Sequence, residues 1–156
     1  MYIGIIGDGV CTAEVALIAE QVGAELARRG CTVVCGGLGG VMEAACRGAK
    51  GAGGLTVGIL PGDNRDAANR YVDVAVATGM GEARNLVVVK SSDVVIAVGG
   101  RYGTLSELAL ALKLGKPVVG LDTWQLYRQE ELDSGIVPVT NAQDAVEAAI
   151  ALALRQ

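Results

Sequence analysis

Residues 94–121 read VVIAVGGRYGTLSELALALKLGKPVVGL, and this stretch decides the fold class. Positions 94–98 are apolar and mostly β-branched, as expected of a strand covered on both faces. Positions 104–114 carry leucine and alanine at helical spacing, and 116–121 return to a strand pattern. A strand, a helix and a strand in such close succession form a crossover whose two strands lie parallel. The joint is longer than a turn requires: Gly99, Gly100, Arg101, Tyr102, Gly103 and Thr104 separate the apolar run from the helix. Glycines at a strand's carboxyl end let backbone approach a ligand without intervening Cβ atoms. The first amides of the next helix are unpaired and carry the positive end of its dipole. Such a joint suits phosphate.

The same arrangement occurs at residues 33–45, VVCGGLGGVMEAA, where Gly36, Gly37, Gly39 and Gly40 join a strand to a helix. The echo is too short for an internal repeat. Strands are expected at 2–7, 31–35, 55–60, 71–78, 116–121 and 135–139, and helices at 13–29, 41–52 and 142–155. Gly30 suits a left-handed helix end and Asn141 an N-cap. Residues 86–90, LVVVK, have strand propensity. They sit only three residues before the stronger strand at 94–98, so the βα alternation predicts a short crossover helix over 82–91. The whole chain, 1–156, reads as one Rossmann-like three-layer α/β domain with a mostly parallel sheet.

Composition narrows the function. Hydrophobic residues make up 51% and charged residues 19%, which argues against disorder, and no apolar run is long enough to span a membrane. The first strand begins at once, with no basic or cleavable leader ahead of it, so a cytoplasmic location is expected. A net charge of −4 with scattered basic residues argues against a nucleic-acid partner. The cysteines Cys11, Cys31, Cys35 and Cys46 include no C-x-x-C pair and are expected to be reduced, buried and hydrophobic in role. Histidine is absent, which removes imidazole bases and most zinc sites.

The two glycine-rich joints therefore carry the functional reading. Lying at the sheet's carboxyl edge, they form a crevice for a phosphate-bearing ligand, with Gly7 ending the first strand beside them. Neither joint is a G-x-G-x-x-G or a P-loop, so a dinucleotide cofactor and an NTPase are disfavoured. Glu107 follows Thr104 by three residues, the spacing of a capping box, and that role alone accounts for it. Arg84, within GMGEARN, is placed to hold a phosphate or a carboxylate from the neighbouring loop.

The stretches GGLGGVMEAACRGAKGAGGLTVGILPGD, GEARN and VGGRYGTLSELALALKLGKPVVGL resemble the SLOG superfamily, which includes the LOG phosphoribohydrolases and the molybdenum cofactor carrier proteins. The similarity spans nearly the whole chain. LOG enzymes cleave the N-glycosidic bond of cytokinin riboside 5′-monophosphates and carry P-G-G-x-G-T-x-x-E with an upstream Arg-Lys pair. Gly99, Gly100, Gly103, Thr104 and Glu107 match a lengthened form of that hallmark, and Arg84 falls at the arginine of the pair. Val98 replaces the proline, Arg101 and Tyr102 fill the space of one residue, Asn85 stands in place of the lysine, and Glu43 replaces a glycine. These departures are closer to the carrier branch.

Two functions stay open on this reading. As a binding protein, the chain holds a molybdopterin-type cofactor or a nucleotide by its phosphate, with Arg84, Asn85 and Arg101 beside the glycine loops; the pterin's own sulfurs hold the metal, so no protein ligands to it are expected. As an enzyme, it takes a nucleoside monophosphate, and Glu107 with Arg84 acts on the glycosidic bond. Apolar helix faces in 86–90 and 108–115 and the resemblance both imply a homodimer or homotetramer.

Overall fold

A computed structural model describes residues 1–155. Seven parallel strands form one sheet: β1 (Tyr2–Gly7), β2 (Thr32–Cys35), β3 (Thr56–Leu60), β4 (Val74–Ala77), β5 (Val94–Val98), β6 (Val118–Leu121) and β9 (Ile136–Val139). Their order across the sheet is β4-β3-β2-β1-β5-β6-β9. Every neighbouring pair is parallel, with β1 in register with both β2 (Ile3 opposite Val33) and β5 (Ile5 opposite Ile96). The remaining two strands, β7 (Tyr127–Arg128) and β8 (Glu131–Leu132), make a small antiparallel hairpin apart from the sheet.

Five helices cover the two faces: α1 (Ala13–Arg28), α2 (Val41–Gly51), α3 (Asn85–Lys90), α4 (Tyr102–Lys113) and α5 (Ala142–Ala153). One core cluster joins α1, α2 and α5 to the side of the sheet that bears Ile3, Ile5 and Ile96. The other joins Val88 and Val89 of α3 and Leu108 and Ala111 of α4 to Ile6, Val95 and Ala97. Alternate residues of one strand thus face opposite cores, as a sheet buried on both sides requires. This is the single-domain Rossmann-like α/β fold that the apolar runs imply.

The local signals account for most boundaries. Gly30 adopts φ 71° just beyond α1, and Thr12 and Asn141 accept the amides of Val15 and Asp144 as side-chain N-caps. The ambiguous 86–90 segment is helical, entered through a 3-10 turn at Gly81–Arg84. Its valines fill the second core rather than pairing along a ladder.

Three expectations are corrected. The fourth strand is four residues rather than eight; just before it, the Asp73 carboxylate accepts the amide and hydroxyl of Thr56 and the ammonium of Lys50. Helix α4 starts at Tyr102, two residues before Thr104. The N-cap is therefore Arg101, which makes no side-chain cap, and the capping box between Thr104 and Glu107 does not form. Cys11 is only half-buried, whereas Cys31, Cys35 and Cys46 are buried as expected.

Candidate functional site

Between β1 and β5 the chain's progress across the sheet reverses, so the loops leaving their carboxyl ends diverge and open a crevice. A cavity of about 810 Å³ lies there. Gly7 and Asp8 from the end of β1, Gly36 from the end of β2, Arg84 and Asn85 from the start of α3, and Gly103, Thr104 and Glu107 from the first turns of α4 all line it. Thus two residues that lie twenty-three apart in sequence, Arg84 and Glu107, meet at one site.

Its polar groups are buried to an unusual degree. Arg84 is 8% exposed, Glu107 7% and Thr104 2%. Arg84 donates through Nη1 to the side-chain oxygen of Asn85 and through Nη2 to the carbonyl of Gly36 at 3.4 Å, while its Nε has no partner. Asn85, which stands where the LOG hallmark has lysine, therefore holds the arginine in place. Thr104 Oγ1 is buried and likewise unpartnered. Buried donors are ordinarily satisfied, and each one left without a partner is unfavourable unless something else meets it. Both residues line the same cavity.

Burial pushes the Glu107 carboxyl up to about 7, against the opposing pull of the Arg84 guanidinium. At neutral pH the carboxyl is therefore close to half protonated, able to donate as well as accept. With Arg101 as N-cap, Leu105 is the first residue of α4 whose amide finds a helical acceptor, the Arg101 carbonyl. The amides of Tyr102, Gly103 and Thr104 precede it and remain available to an anion.

The other glycines of the two joints have separate places. Gly99, Gly100 and Arg101 line a smaller hollow of about 340 Å³ beside Asp8 and Cys11. Gly100 has φ 110°, and a Cβ there would collide with the side chain of Thr104, so it permits the fold of the loop and the burial of that threonine. Gly37 packs against Gly58 of β3. Gly39 and Gly40 lie under the backbone of residues 8 and 9. The α2 joint is thereby closed by protein: the first amide of that helix, at Val41, donates to the Asp8 carbonyl.

Asp8 belongs to the site although no sequence motif marks it. Its carboxylate accepts the Arg101 amide at 2.9 Å and pairs with the Arg101 guanidinium at 3.4 Å, so it ties the two joints together. The available signal is its position directly after the first strand, where a doubly wound sheet collects its site residues. Tyr102, which reads in the sequence as a spacer within the joint, also lines the cavity.

Known proteins share this architecture along its whole length. A molybdenum cofactor binding protein from the phototrophic bacterium Rippkaea orientalis superposes with a TM-score of 0.89 at 41% identity, covering 97% of this chain and 96% of that one. The molybdenum cofactor carrier protein of Chlamydomonas reinhardtii follows at 0.84 and 35%, covering 99% and 98%. A cytokinin riboside 5′-monophosphate phosphoribohydrolase of Mycobacterium tuberculosis is 34% identical, over 87% of this chain and 86% of that protein. Residues 1–148 match the SLOG cluster4 family, and the chain belongs to it.

Proposed function

We propose that this protein binds a phosphate-bearing cofactor of the molybdopterin class and carries it without breaking a bond. The observation that carries this reading is one large cavity at the start of α4 that brings together the buried cation Arg84, the buried Thr104 and the unpaired first-turn amides of that helix. A phosphate monoester suits the positive charge of Arg84 and the free amides of residues 102–104 together. The cavity wall also has apolar members, including Ile6, Met42 and Leu110, against which a ring system can rest. The pterin's own dithiolate is the group that would hold molybdenum; the protein's part is to hold the phosphate and shield the rest. The similarity to two proteins described as binding or carrying molybdenum cofactor supports the same choice.

A second reading rests on a specific feature. Glu107 is a buried carboxyl titrating near neutrality and lining the same cavity, which suits a general acid or base, and the mycobacterial relative is a phosphoribohydrolase. One experiment separates the two. The purified protein is loaded with molybdenum cofactor, passed through gel filtration, and assayed for pterin by fluorescence after oxidation and for molybdenum by mass spectrometry. In parallel it is incubated with AMP and with cytokinin riboside monophosphate, and ribose 5-phosphate is measured. Carriage predicts about one retained pterin per protomer, lost in Arg84→Ala, and negligible ribose 5-phosphate. Sustained ribose 5-phosphate release that disappears in Glu107→Gln, without pterin retention, establishes the hydrolase instead.

The chain is further proposed to self-associate in the cytoplasm. Leu105, Leu110 and Leu112 of α4 are only half-buried and Leu114 beyond its end is 41% exposed, which leaves an apolar flank beside the site. Sedimentation at micromolar concentration should give a dimer or tetramer, and a monomer there refutes self-association. Among the described residues no helix is long and apolar enough to cross a membrane.

A further inference from the structure

Tyr102 is the first residue of α4 and lines the large cavity, yet it is 79% exposed. An aromatic ring left so open gains little from burial, so packing does not explain its placement at the mouth of the site. It is nonetheless held. The ring lies against Trp124, centroid to centroid 5.8 Å with the planes 35° apart, and the indole Nε1 donates to the carbonyl of Arg101 at 3.3 Å. That bond fixes the indole to the residue immediately before Tyr102. One side of the tyrosine is thus backed by a second aromatic ring while most of the side chain remains free. The same helix turn presents the amides of Gly103 and Thr104, so a phosphate bound there would place the remainder of its molecule within reach of the tyrosine.

We propose that Tyr102, braced by Trp124, is the stacking platform for a planar heteroaromatic ring, purine or pterin, carried by the phosphate-bearing ligand of this cavity. The proposal rests on the reading of the cavity as a phosphate site and adds the group that selects among phosphates. A ring stacked on an aromatic side chain gains affinity that a ringless phosphate lacks, by about 10-fold or more per ring. The phosphate contacts fix position, and the tyrosine discriminates between ring-bearing and ringless compounds.

The test compares four probes by calorimetry: AMP and 6-hydroxymethylpterin phosphate, which have rings, and ribose 5-phosphate and inorganic phosphate, which do not. Trp124 is the sole tryptophan of the chain, so its emission reports in parallel whether a ring arrives beside it. In wild type at least one ring-bearing probe should bind about 10-fold more tightly than ribose 5-phosphate and quench the indole. Tyr102→Ala should remove that margin and leave the ringless probes unchanged, whereas Tyr102→Phe should keep it within about 2-fold. If Tyr102→Ala weakens all probes alike, or weakens none, or if wild type binds ring-bearing and ringless probes equally, the platform is overturned and the phosphate site stands. If none of the four binds wild type, the phosphate reading itself fails and the platform falls with it.

Discussion

The guanidinium of Arg84 occupies the space that a side chain at position 36 would fill. A Cβ on residue 36 would lie 2.5 Å from Arg84 Nη2 and 2.7 Å from the sulfur of Met42. The methionine is flexible and can yield, but the arginine is fixed by its bonds to Asn85 and to the Gly36 carbonyl. The glycine at the end of β2 is therefore the counterpart of a buried cation supplied by the 3-10 turn that enters α3. Gly36→Ala should displace Arg84 and lower the affinity for the loaded cofactor at least about 10-fold, the scale of one lost charge-assisted hydrogen bond. Gel-filtration retention of the pterin measures it, and unchanged retention would show that the arginine is not a ligand-holding group.

Glu107 makes stability and binding depend on pH. Its carboxyl is raised from 4.5 to about 7 by burial, so the folded state favours the protonated form. The stabilisation from keeping it protonated is complete below about pH 4.5 and is lost as pH rises through about 7. The interval corresponds to at most about 3 kcal/mol. Glu107→Gln has no carboxyl to ionise and no capping box to lose, so it should melt higher than wild type at pH 8 and nearly level with it at pH 5. Anion affinity should follow the same group, weakening in wild type above pH 7 and staying flat in the variant. Thermal melts and calorimetry across pH 5–8 check both, and parallel pH profiles for the two proteins would refute the assignment.

Much of this arrangement is legible in the chain, because the residues concerned signal locally. Continuous apolar runs mark parallel strands, Gly30 and Asn141 end and begin helices through their own backbone and side-chain preferences, and 82–91 has to be helical for β4 and β5 to run parallel. Arg84, Thr104 and Glu107 stand out by motif spacing, and they do converge. The start of α4 is hidden because Gly100, Arg101 and Gly103 read as loop: glycine disfavours a helix, yet Gly103 lies inside its first turn. Long-range contacts leave no local mark. Asp8 joins loops more than thirty and ninety residues away, and the Cys35 and Cys46 sulfurs approach to 3.5 Å from separate elements. The β7–β8 hairpin has no Asn-Gly or Asp-Gly turn, with Gln129 taking the left-handed conformation instead.

The thiols should divide three to one. Cys31, Cys35 and Cys46 are buried and Cys11 is half-exposed. Burial and the nearby Asp8 raise the Cys11 thiol above its ordinary range, so even this one is a poor thiolate at pH 7. Titration of the native protein with a thiol-reactive dye should modify one cysteine slowly, faster as pH rises, and four only after unfolding. Modification of two or more in the native state would mean that the core beneath the helices opens to solvent far more readily than its packing implies.

Positions 100 and 103 lie three residues apart in the same joint, and the structure gives them opposite vulnerabilities. Gly100 holds φ 110° and has Thr104 where a side chain would go, so Gly100→Ala should destabilise the protein by about 1–3 kcal/mol. Gly103 has ordinary helical backbone and lines the cavity, and a Cβ on it would meet no heavy atom within 4 Å. A side chain there starts in open space at the cavity wall, next to the amides of the first turn. Gly103→Val should keep the circular dichroism spectrum and melting temperature of wild type while cofactor retention falls at least about 10-fold, since a phosphate displaced by the added isopropyl group loses several charge-assisted bonds together. Retention equal to wild type would mean that the ligand does not approach the start of α4 and that the amides of residues 102–104 play no part in holding it.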